Sequence, residues 1–230
     1  AGMDGILVGD SLGMVVMGHE TTLSVTMDIM VHHTACVSRA VRHALVIADM
    51  PFLSYQTATR DAVLNAGRLV VEGGAHAVKL EGAGEEKLAA VRAIIAAGIP
   101  VMGHIGLEPQ SIYRLGGYKV QGRDIEGSNQ LREAAHALED AGCFALVLEC
   151  IPAELARTIT ESVDIPTIGI GAGAGCDGQV LVVHDALGLG KYTRFSKQYA
   201  DLGASMKEAF DEYIREVKAG DFPGKEHEFQ

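Results

Sequence analysis

A set of ionisable side chains stands at or beside the ends of short apolar runs. Gly5-Ile6-Leu7-Val8-Gly9 leads into Asp10 and Ser11, Leu45–Ala48 into Asp49, and Ala77-Val78-Lys79-Leu80 into Glu81. Met102-Gly103 leads into His104, and Ala145–Leu148 into Glu149. Short apolar runs bounded by glycine read as strands buried on both faces, as in parallel sheets. A carboxylate at the end of such a strand is costly to bury unless it is paired or holds a metal. Asp10, Asp49, Glu81 and Glu149 gathered at one mouth would repel one another, and some would have to protonate unless a cation were present. Oxygen donors of this kind suit Mg²⁺, which takes one or two protein carboxylates and keeps water or substrate in its other positions. The alternative is that each acid caps a turn or pairs with an arginine.

Lys79 lies two residues before Glu81, so period-two alternation puts both on one face. There its ammonium either holds a substrate carboxylate or carbonyl oxygen, or forms a structural ion pair. His104 reads as a hydrogen-bonded structural histidine or, alternatively, as a participant in the chemistry. His19, His32, His33 and His184 show no ligand spacing to one another. Gly169-Ile170-Gly171-Ala172-Gly173-Ala174-Gly175 does not satisfy GxGxxG, and is expected instead to let backbone approach a ligand. Gly116-Gly117-Tyr118-Lys119-Val120-Gln121-Gly122 lies in a long connection, and its glycines suggest a mobile lid.

The elements that would position these residues repeat. Gly2-x-x-Gly5, Gly74-x-x-Ala77 and Gly142-x-x-Ala145 each read as a helix-end glycine, a short turn, a buried strand and a terminal acid. Further strands are expected at Leu45–Asp49, Pro100–His104, Thr167–Gly171 and Val180–His184. Amphipathic helices are expected over Met27–His43, Asp61–Glu72, Glu85–Ala97 and Leu131–Ala141, the last capped by Ser128. One more follows Pro152, and a long C-terminal helix is expected over about 194–219, its apolar stripe serving core packing or a subunit contact. Strictly alternating strands and helices, with no linker between them, indicate a (β/α) barrel or a doubly wound sheet. Polar or glycine-rich strand ends favour the barrel mouth. A single (β/α)8 TIM barrel domain over 1–230 is therefore expected. Only seven strands are found, so its first strand and helix, about 30 residues at barrel spacing, are expected to be missing from this sequence.

Composition sets outer limits. The 230 residues are 48% hydrophobic but only 5% aromatic, with no Trp, which predicts a core of Val, Ile, Leu and Ala. A net charge of −11 argues against nucleic acid and anionic membrane as partners. The four cysteines form neither a CxxC pair nor a zinc spacing, which suits reduced thiols in a cytoplasmic protein. No apolar run is long enough to span a membrane.

Taken together the motifs resemble the ketopantoate hydroxymethyltransferase family. The resemblance is carried by Val8-Gly9-Asp10-Ser11-Leu12-Gly13-Met14-Val15, Ala48-Asp49-Met50-Pro51-Phe52, Val78-Lys79-Leu80-Glu81-Gly82 and Gly103-His104-Ile105-Gly106-Leu107. It continues through Gly116–Arg123, Leu148-Glu149-Cys150-Ile151-Pro152 and Gly171–Val180, as far as Phe222-Pro223-Gly224. Departures are Glu108 where Thr is expected, Ala174 in the glycine loop, and Thr193-Arg194-Phe195 in place of Pro-Lys-Phe. The resemblance implies transfer of a hydroxymethyl group from 5,10-methylenetetrahydrofolate to 3-methyl-2-oxobutanoate, giving 2-dehydropantoate through a Mg²⁺-stabilised enolate. It implies Asp10, Asp49 and Glu81 at the metal, the last directly or through water. It further implies substrate contacts from Asp10, Ser11, Asp49, Lys79 and His104, and Glu149 as the base that removes the C3 proton. A homo-oligomer, a decamer in this family, is implied as well. The alternatives are a related Mg²⁺-dependent 2-oxo-acid lyase or phosphonopyruvate-type mutase, and a catalytically dead subunit that keeps the fold.

Overall fold

The computed structural model describes residues 1–190 and 193–229, which form two compact units, Ala1–Val180 and Leu181–Gln230. In the first, strands β1 (Gly5–Val8), β2 (Leu45–Asp49), β3 (Ala77–Glu81), β4 (Val101–Gly106), β5 (Ala145–Glu149), β6 (Thr167–Ile170) and β7 (Gly178–Gln179) make one sheet. All pairings are parallel and follow chain order, which leaves β1 and β7 at the edges. Between strands run α1 (Leu12–Val15), α2 (Met27–Ala40), α3 (Thr59–Val71), α4 (Glu85–Ala96), α5 (Ile112–Leu115), α6 (Ile125–Asp140) and α7 (Ala153–Thr160). The first glycine of each copy of the repeated pattern has the positive φ that a side chain disfavours, +82° at Gly2, +73° at Gly74 and +96° at Gly142, and the last two follow helices α3 and α6.

Strand alternation sorts the core into two layers. Val46, Ala48, Val78, Leu80, Val101, Ile105, Leu146 and Leu148 face one way. They pack in one continuous cluster with Met30 of α2, Leu69 of α3, Ile94 of α4, Leu138 of α6 and Ile159 of α7. All these helices therefore lie on one face of the sheet, as in a barrel wall and unlike a doubly wound sheet. The opposite face carries a separate cluster of Ile47, Ala77, Met102, Ala145 and Val147, with Leu7, Ile168 and Ile170 against it. The same alternation carries that face into Asp49, Lys79, Glu81, His104 and Glu149. The inner layer is thus apolar at its base and ionisable at the carboxyl ends of the strands.

Three expected elements are corrected. Helix α6 begins six residues before Leu131, because Asp124 rather than Ser128 caps it, its carboxylate accepting the Gly127 N–H at 2.7 Å. The run Val180–His184 is not a strand. The chain pairs only at Gly178–Gln179 and then forms α8 (Val183–Leu187), a short apolar run being open to either period. In the second unit the last helix, α9 (Leu202–Ala219), starts well after residue 194, where Asp201 accepts the Ala204 N–H at 3.2 Å. Its Met206, Phe210, Tyr213 and Val217 are exposed. Among the described residues no helix is long and apolar enough to cross a membrane.

Leu146, on the interior strand β5, is fully buried between the sheet and the helix layer. Leu146→Ala should lower unfolding stability by about 2–5 kcal/mol in a urea titration, with the slope of the transition unchanged.

Candidate active site

Each acidic side chain reaches the site from a different strand end. After Val8 the chain turns through Gly9, where an added Cβ would stand 3.0 Å from Ser11 Oγ and 3.5 Å from Asp49 Oδ2. The missing side chain lets this turn close on β2. The Asp10 N–H then donates to Asp49 Oδ2 at 3.0 Å. Lys79, beside Asp49 in the β2–β3 register, brings Nζ to 2.9 Å from Asp49 Oδ1. That contact has ion-pair distance without hydrogen-bond alignment, so the buried Oδ1 accepts no hydrogen bond. Ser11 precedes α1 without capping it, which leaves its hydroxyl available at the same mouth.

His104 lies between two groups. Lys79 Nζ is 3.3 Å from its Nδ1, and Glu149 Oε2 is 3.1 Å from its Nε2. An ammonium can only donate, so Nδ1 is the acceptor and Nε2 carries the hydrogen that faces Glu149. Nε2 is nonetheless not aligned for a full hydrogen bond, a looseness common at catalytic groups before substrate arrives. Glu149 sits where β4 and β5 touch most closely. Gly106, at φ +102°, is its register partner, and a Cβ there would collide with the Glu149 carbonyl oxygen.

The electrostatics are those of too much buried negative charge. Asp10, Asp49, Lys79, Glu81 and His104 are each no more than 5% exposed. Burial, then the neighbouring Asp49, pushes the Asp10 carboxyl up to about 7. Burial likewise holds Glu81 well above the usual range, against the pull of Lys79 and with Asp10 and Asp49 adding to the rise. For Lys79 burial works against the charge, but Asp49, Glu81 and Asp10 together outweigh it and raise its pKa. Glu108 lies apart from this imbalance: although burial opposes its charge, Lys87 at 2.9 Å holds its carboxyl below the ordinary value, with Arg114 at 3.3 Å assisting.

Hard oxygen donors, an excess of buried carboxylates and the unbonded Asp49 Oδ1 fit a divalent cation of the Mg²⁺ type at Asp10 and Asp49. The expected set of Asp10, Asp49 and Glu81 is not gathered as a ligand cluster. Among the described residues no three His, Cys, Asp or Glu side chains converge in that way. Glu81 instead accepts the Gln110 backbone N–H on Oε2 at 3.0 Å, and its Oε1 is 3.7 Å from His104 Nδ1.

Two residues at this end were not expected from sequence. Gln110, in a 3₁₀ turn after β4, donates from Nε2 to Asp10 Oδ2 and to the Met50 carbonyl, both at 2.9 Å. The Tyr55 hydroxyl donates to Gln110 Oε1 at 2.8 Å and accepts the Glu81 N–H at 3.1 Å. Their burial in loops, at 5% and 2% exposure, is the signal, and only the structure reveals it. The glycine-hinged segment 116–122 crosses from the Tyr118 hydroxyl on Met14 Sδ, 3.5 Å, to the Gln121 N–H on the Cys150 carbonyl, 2.9 Å. Burial raises the Tyr118 phenol pKa, and Glu149, Asp10 and Glu81 add to the rise.

In metal-free protein Asp10 binds its proton more tightly folded than unfolded. Its contribution to stability is therefore complete below about pH 4 and is lost as pH rises through about 7. With a chelator present, Asp10→Asn should be more stable than the parent at pH 8, by up to about 4 kcal/mol, and the advantage should vanish near pH 4. Chemical denaturation at both pH values checks this.

The fold and the sequence both have known counterparts. The solved structure of phosphonopyruvate hydrolase superposes with a TM-score of 0.60 at 13% identity, covering all of this chain and 80% of that one. For 2,3-dimethylmalate lyase, of the PEP mutase/isocitrate lyase superfamily, the score is 0.57 at 20% identity, covering all of this chain and 79% of the other. At these identities the likeness concerns the fold alone. The chain is 59% identical over 232 residues to the 3-methyl-2-oxobutanoate hydroxymethyltransferase of Clostridium novyi (strain NT), covering 100% of this chain and 84% of that protein. It is 60% identical over 232 residues to the enzyme of that name from Moorella thermoacetica, covering 100% and 86%. The sequence model of the family described as ketopantoate hydroxymethyltransferase matches residues 1–225. With that match and those identities, the chain belongs to the ketopantoate hydroxymethyltransferase family.

Proposed function

We propose that this chain transfers a hydroxymethyl group from 5,10-methylenetetrahydrofolate to 3-methyl-2-oxobutanoate, giving 2-dehydropantoate, in the manner its relatives' names describe. The observation that carries the reading is the chain of contacts from Asp49 through Lys79 and His104 to Glu149, at 2.9, 3.3 and 3.1 Å. It joins a cation-binding end to a candidate base within one buried mouth.

Asp10 and Asp49 would hold Mg²⁺, with Glu81 near it through water. A bound divalent ion supplies Lewis-acid polarisation of a 2-oxo acid's ketone, which makes the neighbouring C3–H more acidic. The residues do the rest. Lys79 offers its ammonium to the substrate carboxylate, and the Ser11 hydroxyl offers a hydrogen bond to an adjacent oxygen. Glu149 takes the C3 proton onto its carboxylate while His104 fixes the side chain's orientation. The carbon so freed bonds to the folate's methylene carbon, whose two C–N bonds break. Water supplies the hydroxyl group, and the nitrogens of the released tetrahydrofolate take up the proton removed by Glu149 and the remaining proton of water. Segment 116–122 excludes bulk water while this happens.

The sheet is read as the wall of a (β/α)8 TIM barrel, supported by its sequential parallel order and its single helix-covered face. A homo-oligomer, such as a decamer, and a cytoplasmic location complete the proposal. The first is supported by the exposed apolar residues of α9 and the second by the free cysteines.

Ketoisovalerate, methylenetetrahydrofolate and Mg²⁺ supplied to the folded protein should yield ketopantoate, and no product would refute the assignment. Glu149→Gln keeps the shape and loses the base. Calorimetry should still detect Mg²⁺-dependent ketoisovalerate binding, while exchange of its C3 proton in deuterated water, followed by NMR, should slow ~100-fold or more. Asp49→Ala should abolish Mg²⁺-dependent turnover and ketoisovalerate binding together.

A further inference from the structure

We infer that Gln110 is a positioning residue that fixes which carboxylate oxygens of Asp10 and Glu81 are left to face a cation and its substrate. The inference rests on the metal reading above and extends it to a residue with no assigned role.

The orientation of the Gln110 amide is set by four partners. Tyr55 Oη at 2.8 Å and Gln56 Nε2 at 3.1 Å both donate to Oε1, and Nε2 donates to Asp10 Oδ2 and the Met50 carbonyl at 2.9 Å each. The Tyr55 hydrogen is committed to Gln110, because its oxygen already accepts the Glu81 N–H. A flipped amide would set oxygen against the Met50 carbonyl and NH₂ against the Gln56 NH₂, so only one orientation satisfies all four. The amide's capacity is thereby exhausted, and its donor must point at Asp10.

The same residue holds a second acid. Its backbone N–H engages Glu81 Oε2 at 3.0 Å, so one loop residue ties the β1 and β3 acids to the β4 turn. Asp49 is held in parallel fashion, its Oδ2 taken by the Asp10 N–H and its Oδ1 left without a hydrogen bond. Three carboxylates thus each have one oxygen fixed by an N–H donor. The choice of an amide follows from charge. A Lys or Arg at this position would neutralise the attraction for a cation, and a Glu would add a like charge against Asp10. A neutral donor orients the carboxylate and leaves its charge intact.

The test is Mn²⁺ binding to substrate-free protein by EPR, run alongside the melting temperature in chelator. The parent should bind Mn²⁺. Gln110→Met keeps the length, loses both donors and should weaken Mn²⁺ affinity about 10–100-fold. A purely structural role would lower the metal-free melting temperature and leave the affinity of the folded protein intact. Tyr55→Phe removes the donor to the Gln110 amide and also the acceptor of the Glu81 N–H. It too should therefore weaken Mn²⁺ binding, and the Glu81 part of its loss should persist in the double variant with Gln110→Met. Affinity within twofold of the parent in Gln110→Met would overturn the inference. If Gln110→Met does not fold, Tyr55→Phe carries the test, and unchanged affinity there overturns it. A parent that binds no Mn²⁺ would remove the metal reading itself, and the inference with it.

Discussion

The structure turns on one electrostatic imbalance: the acids Asp10, Asp49 and Glu81 are buried and, among the described residues, share one buried ammonium, that of Lys79. Removing a carboxylate from water is expensive, and one neighbouring cation does not repay three such costs. The protein meets the deficit in two ways. Protons stay longer on Asp10 and Glu81, and N–H donors from Asp10 and Gln110 take one oxygen of each acid. A divalent ion at Asp10 and Asp49 would meet it more fully, because it would supply the missing positive charge. Without such an ion the buried charge is a cost that the rest of the fold must carry.

It does so by layering. The inner face of the sheet is apolar at Ile47, Ala77, Met102, Ala145 and Val147, and the charged ends stand on that base. The outer face is sealed by the helices through a separate, larger cluster. Hydrophobic burial grows with area, whereas the electrostatic cost is confined to one end, so a large outer core can support a destabilised mouth. Two glycines let the mouth close. Gly9 admits Asp49 beside the β1 turn, and Gly106 admits the Glu149 backbone against β4. At Gly106 a methyl group would hold apart two strand ends that must meet, whereas at Gly9 it would press on the Ser11 hydroxyl.

Much of this was legible in the residues, for physical reasons. Buried parallel strands have apolar runs, and their terminal acids stand out against them, so β1 to β6 and the residues Asp10, Asp49, Lys79, Glu81, His104 and Glu149 could be read directly. The Gly74 and Gly142 turns were readable because left-handed backbone selects glycine. What escaped was settled by contacts. Val180–His184 has a strand's composition, but its chain pairs for only two residues, and nothing local forbids the turn into α8. Asp124 and Ser128 are both good caps, and which one wins depends on where Gly122 and Leu131 pack. Gln110 and Tyr55 are ordinary loop residues by type. Their importance lies in acceptors and donors that are 26 to 100 residues away in the chain, and no local pattern encodes that.

The cluster is also graded in its access to water, and the grading matches a division of labour. The side chains of Lys79, Asp49, Glu81 and His104 are 2–6% exposed, whereas that of Glu149 is 17% exposed. Charge recognition gains from a deep, dry position, where each Coulomb interaction is stronger. A base must instead give its proton away again, which requires a path outward. The greater exposure of Glu149 suits the role of base proposed for it, and segment 116–122 is tethered nearby through Tyr118 and Gln121. Its neighbour Cys150 holds a left-handed backbone, φ +49°, a conformation costly for any residue with a Cβ. The Cys150 carbonyl is the acceptor that anchors segment 116–122 through the Gln121 N–H, so the strained residue fixes that segment next to Glu149 in the chain.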